Sequence, residues 1–373
     1  MHGAWPAALL LATGCQAVFG LDDPAPIVAD GGIDSGASGV EPKLCWGTDV
    51  KICLPDFASG SIELSGALDT TSSSRCTPSI ADYCVIAATR ITIPAAVTLD
   101  VTGARPLVLI ANETLTIAGA LDVASHAVPR KPGPGAAAAV CPAFATAPST
   151  QGGGAGGTFA GVGGAGAGNN DSPPDTGGTP AAVSAVSGLR AGCPGQTGGG
   201  ASNGFGLGGL GGGAVLLAAG AKIEIPGRID ASGAGGNGGA CQAPCATDGA
   251  NAYGGGGGGA GGMILVEAPV IDNTGTVYAD GGGGGEGASR SNNGVAGMDP
   301  AGTAPALGGS GEAGHGGDGG PGAFALVRNG AVGLPGDSSN PGGGGGGGGA
   351  AGAIRVHGAG AITGGGRVSP PPM

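Results

Sequence analysis

Three aspartates, Asp69, Asp122 and Asp230, each follow a leucine or an isoleucine in short segments of similar sequence. Asp122 and Asp230 match each other when residues 107–124 are aligned with residues 215–232 without a gap. Most glycoside hydrolases use a pair of carboxyl groups as acid, base or nucleophile. We therefore take Asp122 and Asp230 as the candidate catalytic residues.

The same aspartates are also expected in a protein that catalyses nothing. Thr98 and Tyr278 interrupt the row that the three aspartates define, and Arg228 is the basic residue next to it. Like charges directly opposite each other on neighbouring strands repel. The alternative interpretation is therefore a row of solvated aspartates on an outward face.

Sequence patterns that hold metals or phosphates are missing or incomplete. The four histidines, at positions 2, 126, 315 and 357, are scattered, and no pair of Cys-x-x-Cys motifs predicts a zinc site. The tract 314–324 has one poor copy of a calcium-binding repeat that works only in tandem. The glycine run 204–213 lacks the Lys-Ser/Thr of a phosphate-binding loop. We expect no metal and no cofactor.

Cys15 follows a short apolar stretch, residues 1–14, which is typical of a signal peptide. The sequence Leu-Ala-Thr-Gly-Cys resembles the lipobox of bacterial lipoproteins, in which the cysteine is acylated after cleavage. Ala12 stands where leucine is commonest in that motif. By the same resemblance, Gln16 favours sorting to the outer membrane. The alternative is an ordinary secretory signal followed by an unmodified cysteine.

The other eight cysteines are an even number, as a disulfide framework requires. Many connectivities are possible, and proximity in the sequence favours one of them. The favoured pairs are Cys45 with Cys53, Cys76 with Cys84, Cys141 with Cys193, and Cys241 with Cys245. An exported protein lies in an oxidising compartment, where such bonds persist.

An internal repeat indicates which elements position these residues. Its copies are centred on Gly66, Ala95, Gly119, Gly227, Gly275, Gly336 and Gly366. Each copy has stretches of alternating apolar residues rich in Val, Ile and Thr, which is the pattern of strands. The copy at 107–124 contains three such stretches: Leu107/Leu109/Ala111, Leu115/Ile117 and Leu121/Val123. We predict an all-β fold, a right-handed parallel β-helix (a solenoid) of about seven coils with long glycine-rich insertions.

Glycine is unevenly distributed along the chain. Four repeat copies (83–100, 107–124, 215–232 and 264–280) hold 4 glycines in 71 residues, whereas 281–321 holds 17 in 41. We divide the chain into a signal peptide (1–14), a lipidated, disordered tether (15–44) and a β-helix domain (45–369). The insertions lie near 126–211, 234–260, 282–321 and 337–350. They are either flexible loops or extended polyglycine strands packed side by side, by analogy with polyproline II.

Composition narrows the classes of function. The chain has 373 residues, a net charge of −12 and 14 basic residues without a basic cluster, so we expect no nucleic-acid partner. Aromatic residues make up 3% of the sequence, which disfavours an enzyme core built on them. No run of 18 apolar residues predicts a transmembrane helix.

With Cys15, the acidic tether and the glycine-rich repeats, the chain resembles uncharacterised bacterial surface lipoproteins with glycine-rich, PE-PGRS-like regions. This resemblance implies no catalytic residues. It implies a lipid-anchored protein of the outer membrane or cell surface that serves adhesion, envelope structure or interaction, with the membrane and a glycan or protein as partners. The alternatives are a polysaccharide lyase or hydrolase that uses Asp122 and Asp230, and a disordered spacer.

Overall fold

Short β-strands and extended glycine-rich segments make up the described part of the chain. The computed structural model describes residues 44–54, 59–78, 80–136, 141–169, 174–183, 187–200, 206–241, 252–289, 291–311, 316–337, 342–358 and 362–373. These residues belong to one compact unit, Asp34–Met373. None of the described ranges contains a helix long and apolar enough to cross a membrane.

Sixteen strands occur in the described residues, and they form three sheets. In chain order they are β1 (Leu44–Trp46), β2 (Ile52–Leu54), β3 (Ser61–Glu63), β4 (Gly66–Asp69), β5 (Cys84–Ile93), β6 (Thr98–Thr102), β7 (Leu107–Ile117), β8 (Ala120–Asp122), β9 (Ala214–Ala219), β10 (Lys222–Ile225), β11 (Arg228–Asp230), β12 (Met263–Glu267), β13 (Val270–Asn273), β14 (Thr276–Tyr278), β15 (Ala353–His357) and β16 (Arg367–Ser369). β1 and β2 form an antiparallel hairpin. Eight strands form a large parallel sheet around β7, and the other six form a parallel sheet in the order β16-β14-β11-β8-β6-β4.

The predicted parallel β-helix of about seven coils is wrong, although the chain is all-β where it is described. The described strands belong to separate sheets, and no closed coil links them within the described residues. The first two apolar stretches of the repeat are not two faces of a coil, because they lie in the same sheet in each of three copies and form one continuous strand, β7, in the copy at 107–124. The copy around Gly336 contains no strand between residues 324 and 336. Where a coil would continue from the sheets, the chain instead enters glycine-rich segments that hydrogen-bond to one another.

The repeat alignment nevertheless predicts how the strands pair. Leu109 lies opposite Leu217, and Leu121 lies opposite Ile229, as in the gapless alignment of 107–124 with 215–232. This register stacks equivalent apolar side chains, because successive residues of a strand point to opposite faces. The main core therefore contains the inward residues of both parallel sheets, and they are almost fully buried. A second apolar cluster, which includes Phe159 and residues of the β1–β2 hairpin, covers the other face of the large sheet.

The described glycine-rich segments are ordered, as the second alternative for the insertions states. In the central segment 252–262, every third backbone N–H donates to the same neighbour: Gly255, Gly258 and Gly261 donate to 343–352. A period of three residues is that of an extended polyproline II helix, which makes no internal hydrogen bonds and must pair outside itself. The central segment exchanges bonds with six neighbours: 151–157, 192–199, 206–213, 231–239, 281–288 and 343–352. We call this bundle, over the described residues 151–352, the glycine layer.

Three disulfides join cysteines whose proximity in the sequence predicts these pairs. Cys45–Cys53 links β1 to β2, and Cys76–Cys84 ties the loop after β4 to β5. Cys141–Cys193 joins two cysteines that are 52 positions apart in the sequence, and Cys193 lies in the glycine-layer segment 192–199. Cys241 is also disulfide-bonded, and Cys245, its predicted partner, lies outside the described residues. Cys15 and the predicted signal peptide also lie outside them.

Candidate functional site: the acidic row and the glycine layer

One row of polar residues crosses the six-stranded sheet on the face opposite the main core. Strand pairing places Asp100, Asp122, Asp230, Tyr278 and Ser369 in that order on neighbouring strands. We call these five residues the acidic row. Asp69 is not in it, because it lies opposite Thr102, two residues beyond Asp100. The aligned copies wrongly predict Asp69 and Thr98 in this row and leave out Asp100, because the alignment does not show these shifts of two residues.

Asp122 is paired with a charged histidine. His126 Nε2 lies 3.1 Å from Asp122 Oδ2, and His126 Nδ1 lies 3.6 Å from Asp299 Oδ2. These two carboxylates raise the pKa of His126 to about 10, so the ring is an imidazolium that donates its Nε2–H to Asp122 and forms an ion pair with Asp299. Burial works against ionisation of Asp122, but the hydrogen bond and charge of His126 outweigh it and hold the pKa of that carboxyl below its ordinary value.

His126 and Asp299 connect the six-stranded sheet to the glycine layer. Asp299 also accepts hydrogen bonds from the backbone N–H groups of Ala127 (3.0 Å) and Gly235 (2.8 Å). Nearby, Lys131 forms an ion pair with Asp100. These charges are therefore paired with one another inside the protein, and the sequence signal for them is the His126-to-Lys131 stretch, whose composition predicts only a loop after a strand.

Asp230 is not solvated, in contrast to the outward position predicted for it. Its side chain is buried, with the residue 5% exposed. Burial raises the pKa of Asp230 to about 6, although the backbone N–H of Ser232 donates to its Oδ1 at 2.9 Å. Tyr278 is also buried, and burial together with Asp230 raises the pKa of its hydroxyl.

Asp280 completes this buried group and was not found from the sequence. It is fully buried two residues after Tyr278, and Ser369 Oγ donates to its Oδ1 at 2.5 Å. Its Oδ2 has no hydrogen-bond partner among the described residues. Burial, reinforced by the charge of Asp230, raises the pKa of Asp280 to about 7. The available signal was its position directly after a predicted strand, at the start of a glycine run.

Asp122 and Asp230 are neighbours in the acidic row, but their carboxyl groups lie in different environments. Asp122 is ionised and bound to His126, whereas Asp230 is buried beside Tyr278. Glycosidic cleavage requires an acid and a second carboxylate that both reach the substrate, and a fully buried carboxyl does not reach a polymer. The described residues also bring together no group of three His, Cys, Asp or Glu side chains suited to a metal ion.

The outer face of the glycine layer carries apolar side chains. Four neighbouring segments, 294–298, 306–311, 316–323 and 330–336, are linked in this order by backbone hydrogen bonds. Their large apolar side chains are between 47% and 60% exposed: Val295, Met298, Leu307, Val332 and Leu334. Asp318 is the one charged residue in these four segments. We call this surface the apolar face.

The apolar face follows from the three-residue period of the glycine layer. Gly294, Gly297, Gly330, Gly333 and Gly336 point inward, where a Cβ would lie about 2 Å from a neighbouring carbonyl oxygen. Side chains are accommodated at the positions between these glycines, which face outward. Clustered exposed apolar side chains are characteristic of interaction surfaces.

Searches of protein-family models, curated proteins and solved structures find nothing that matches this chain.

Proposed function

We propose that this chain is a non-enzymatic protein of the bacterial cell envelope, anchored by a lipid on Cys15, that acts in adhesion, envelope structure or interaction. The apolar face is the observation that carries this proposal. It lies on a layer in which backbone hydrogen bonds leave almost no room for side chains. Such a layer holds five apolar side chains at defined positions on its surface, as a binding surface requires.

Two further features support a binding role over glycan cleavage. The charges of Asp100, Asp122 and Asp299 are bound by Lys131 and His126 rather than presented in an open groove. Asp230 and Asp280 are buried. The lipid anchor is supported by the lipobox-like sequence at Cys15 and by the Pro-, Gly- and Asp-rich stretch that follows it.

The anchor is tested with a Cys15→Ser variant expressed in a bacterium that processes lipoproteins. We expect the unaltered chain to fractionate with membranes and the variant to appear in the soluble fraction, because a serine has no thiol to acylate. Mass spectrometry of the purified chain should detect the acyl group on Cys15. Equal membrane retention of the two proteins, with no acyl group, would contradict the anchor.

The apolar face is tested by adding charge to it. In cells that display the protein, Leu307→Glu combined with Val332→Glu should reduce retention on a hydrophobic surface by ~10-fold or more, since each buried apolar side chain contributes about 1.5–3 kcal/mol. The matched control is Val128→Glu combined with Val270→Glu, which alters two exposed valines elsewhere. If both pairs reduce retention equally, or neither does, the apolar face is not the contact surface.

A further inference from the structure

The two ends of the parallel sheets differ in whether the backbone groups of their edge strands are covered. At the C-terminal end, the chain covers its own sheet edge. Met373 N donates to the carbonyl of Ile354 in β15 at 2.9 Å, and Thr363 exchanges backbone bonds beside β13. The tail that reaches β15 contains Pro370, Pro371 and Pro372, which have no N–H to offer another strand. Prolines and covering segments are common ways of blocking an edge.

At the N-terminal end, the edges are formed by β3 and β4. β3 pairs only with β5, and β4 pairs only with β6, among the described strands. Arg90 donates to Gly60, and Leu64 donates to Thr92, so residues 60, 62 and 64 face β5. The backbone groups of Ser61 and Glu63 therefore face away from the sheet, and both residues are exposed.

A cleft of about 460 Å³ lies beside this edge. Its described lining residues are Ile62, Glu63, Leu64, Arg75, Thr77, Ile86 and Ala87. The cleft combines apolar side chains with one acidic and one basic side chain. Glu63 and Arg75 are exposed, and neither belongs to an ion pair among the described residues.

We propose that two copies of this chain form a dimer with two-fold symmetry, in which their β3 strands pair edge to edge. An antiparallel pair centred on Ile62 places Ser61 of one copy opposite Glu63 of the other, and these residues exchange both backbone bonds. Because Glu63 and Arg75 of each copy line the cleft beside this edge, the interface would hold two acidic and two basic side chains that can match opposite charges. A second copy fits this edge because the surface is self-complementary.

The covered C-terminal edge explains why the assembly stops at two. If both ends were open, parallel sheets would stack head to tail into a fibre, since heterologous contacts do not close. The C-terminal tail blocks the edge that such a contact would need. The open edge can then pair only with another open edge.

The test is the mass in solution of the full chain carrying Cys15→Ser, so that no acyl chain drives association. We expect a dimer by light scattering at micromolar concentration. Glu63→Pro removes an N–H that faces away from β5, leaves the bonds to β5 in place and should yield a monomer. The proposal would be overturned if the Cys15→Ser chain is a monomer. It would also be overturned if the same chain with Glu63→Pro added folds and stays dimeric.

A charge exchange keeps the proposal testable if Glu63→Pro does not fold. Glu63→Arg places like charges at the interface and should weaken the dimer by ~10-fold, which corresponds to about 1.4 kcal/mol. Adding Arg75→Glu restores opposite charges and should return the dissociation constant close to its original value. If the double variant is as weak as Glu63→Arg alone, Glu63 and Arg75 do not meet across the interface.

Discussion

Gly258→Ala is expected to lower the free energy of unfolding by about 3 kcal/mol or more, which is at the upper end of overpacking effects in protein cores. Gly258 lies in the central segment of the glycine layer, with six neighbouring segments around it. A Cβ at this position would lie 2.1 Å from the carbonyl oxygen of Gly282. That oxygen belongs to backbone that is itself hydrogen-bonded on several sides, so no flexible side chain can move to make room.

The measurement is thermal and denaturant unfolding of the purified chain. The matched control is Ala296→Val, which also adds carbon atoms to a glycine-layer segment but at an exposed position. We expect the control to change stability by less than about 0.5 kcal/mol. An unchanged midpoint for Gly258→Ala would mean that these segments are flexible loops rather than a packed layer.

Asp280→Asn is expected to stabilise the protein at pH 8 and to leave its stability at pH 4 nearly unchanged. Buried Asp230 and Asp280 have pKa values raised from 3.8 to about 6 and about 7. The folded protein therefore binds more protons than the unfolded chain between pH 4 and pH 8, and its stability falls as the pH rises through this window. Above the folded pKa values, the loss is complete.

Asp280 alone contributes roughly 4 kcal/mol to the expected fall of the unaltered chain, since its pKa rises by about 3 units and each pKa unit corresponds to about 1.4 kcal/mol. His126 contributes in the same direction: its folded pKa of about 10 exceeds the ordinary 6.5, so its stabilisation is lost as the pH rises between these values. Asp280→Asn should flatten the profile because an amide does not titrate. Asp82→Asn, at an exposed carboxyl, should retain the slope of the unaltered chain. A profile for Asp280→Asn that is as steep as the original would show that Asp280 does not ionise in this range.

Strand register was predictable from the sequence where the copies align without a gap, at 107–124 and 215–232, whereas sheet membership was not. Local alternation identified the apolar residues, and the gapless alignment placed Leu109 opposite Leu217 because equivalent side chains stack. The alignment does not show where the chain bends. Asn112 and Glu113 resembled a break between two strands, yet β7 runs through them. That continuity is shared with β5, which pairs with β7 from Leu107 to Ile117, whereas β9 and β10 each pair with one half of β7.

The acidic row shows the same division. Its pairing of Asp122 with Asp230 follows from the repeat, so the sequence identified two of its members. Whether each carboxyl is solvated depends on what covers it, and the cover comes from distant glycine-rich segments. Asp299, which lies 173 residues after His126, supplies the second carboxylate to that histidine. Sequence spacing carries no information about such a contact.

By itself, the sequence determined the β-rich character of the chain, the register of the two gaplessly aligned copies, three of the cysteine pairs and the concentration of glycine outside the strands. These properties depend on local alternation, proximity and the absence of a side chain, which are all written residue by residue. The tertiary structure alone decided that the strands form separate sheets, that glycine-rich segments pack into a layer, and that Asp230 and Asp280 are buried. The physical reason is that a glycine segment has no side chain to record its neighbours, so its place depends on which backbone groups are left for it to bond.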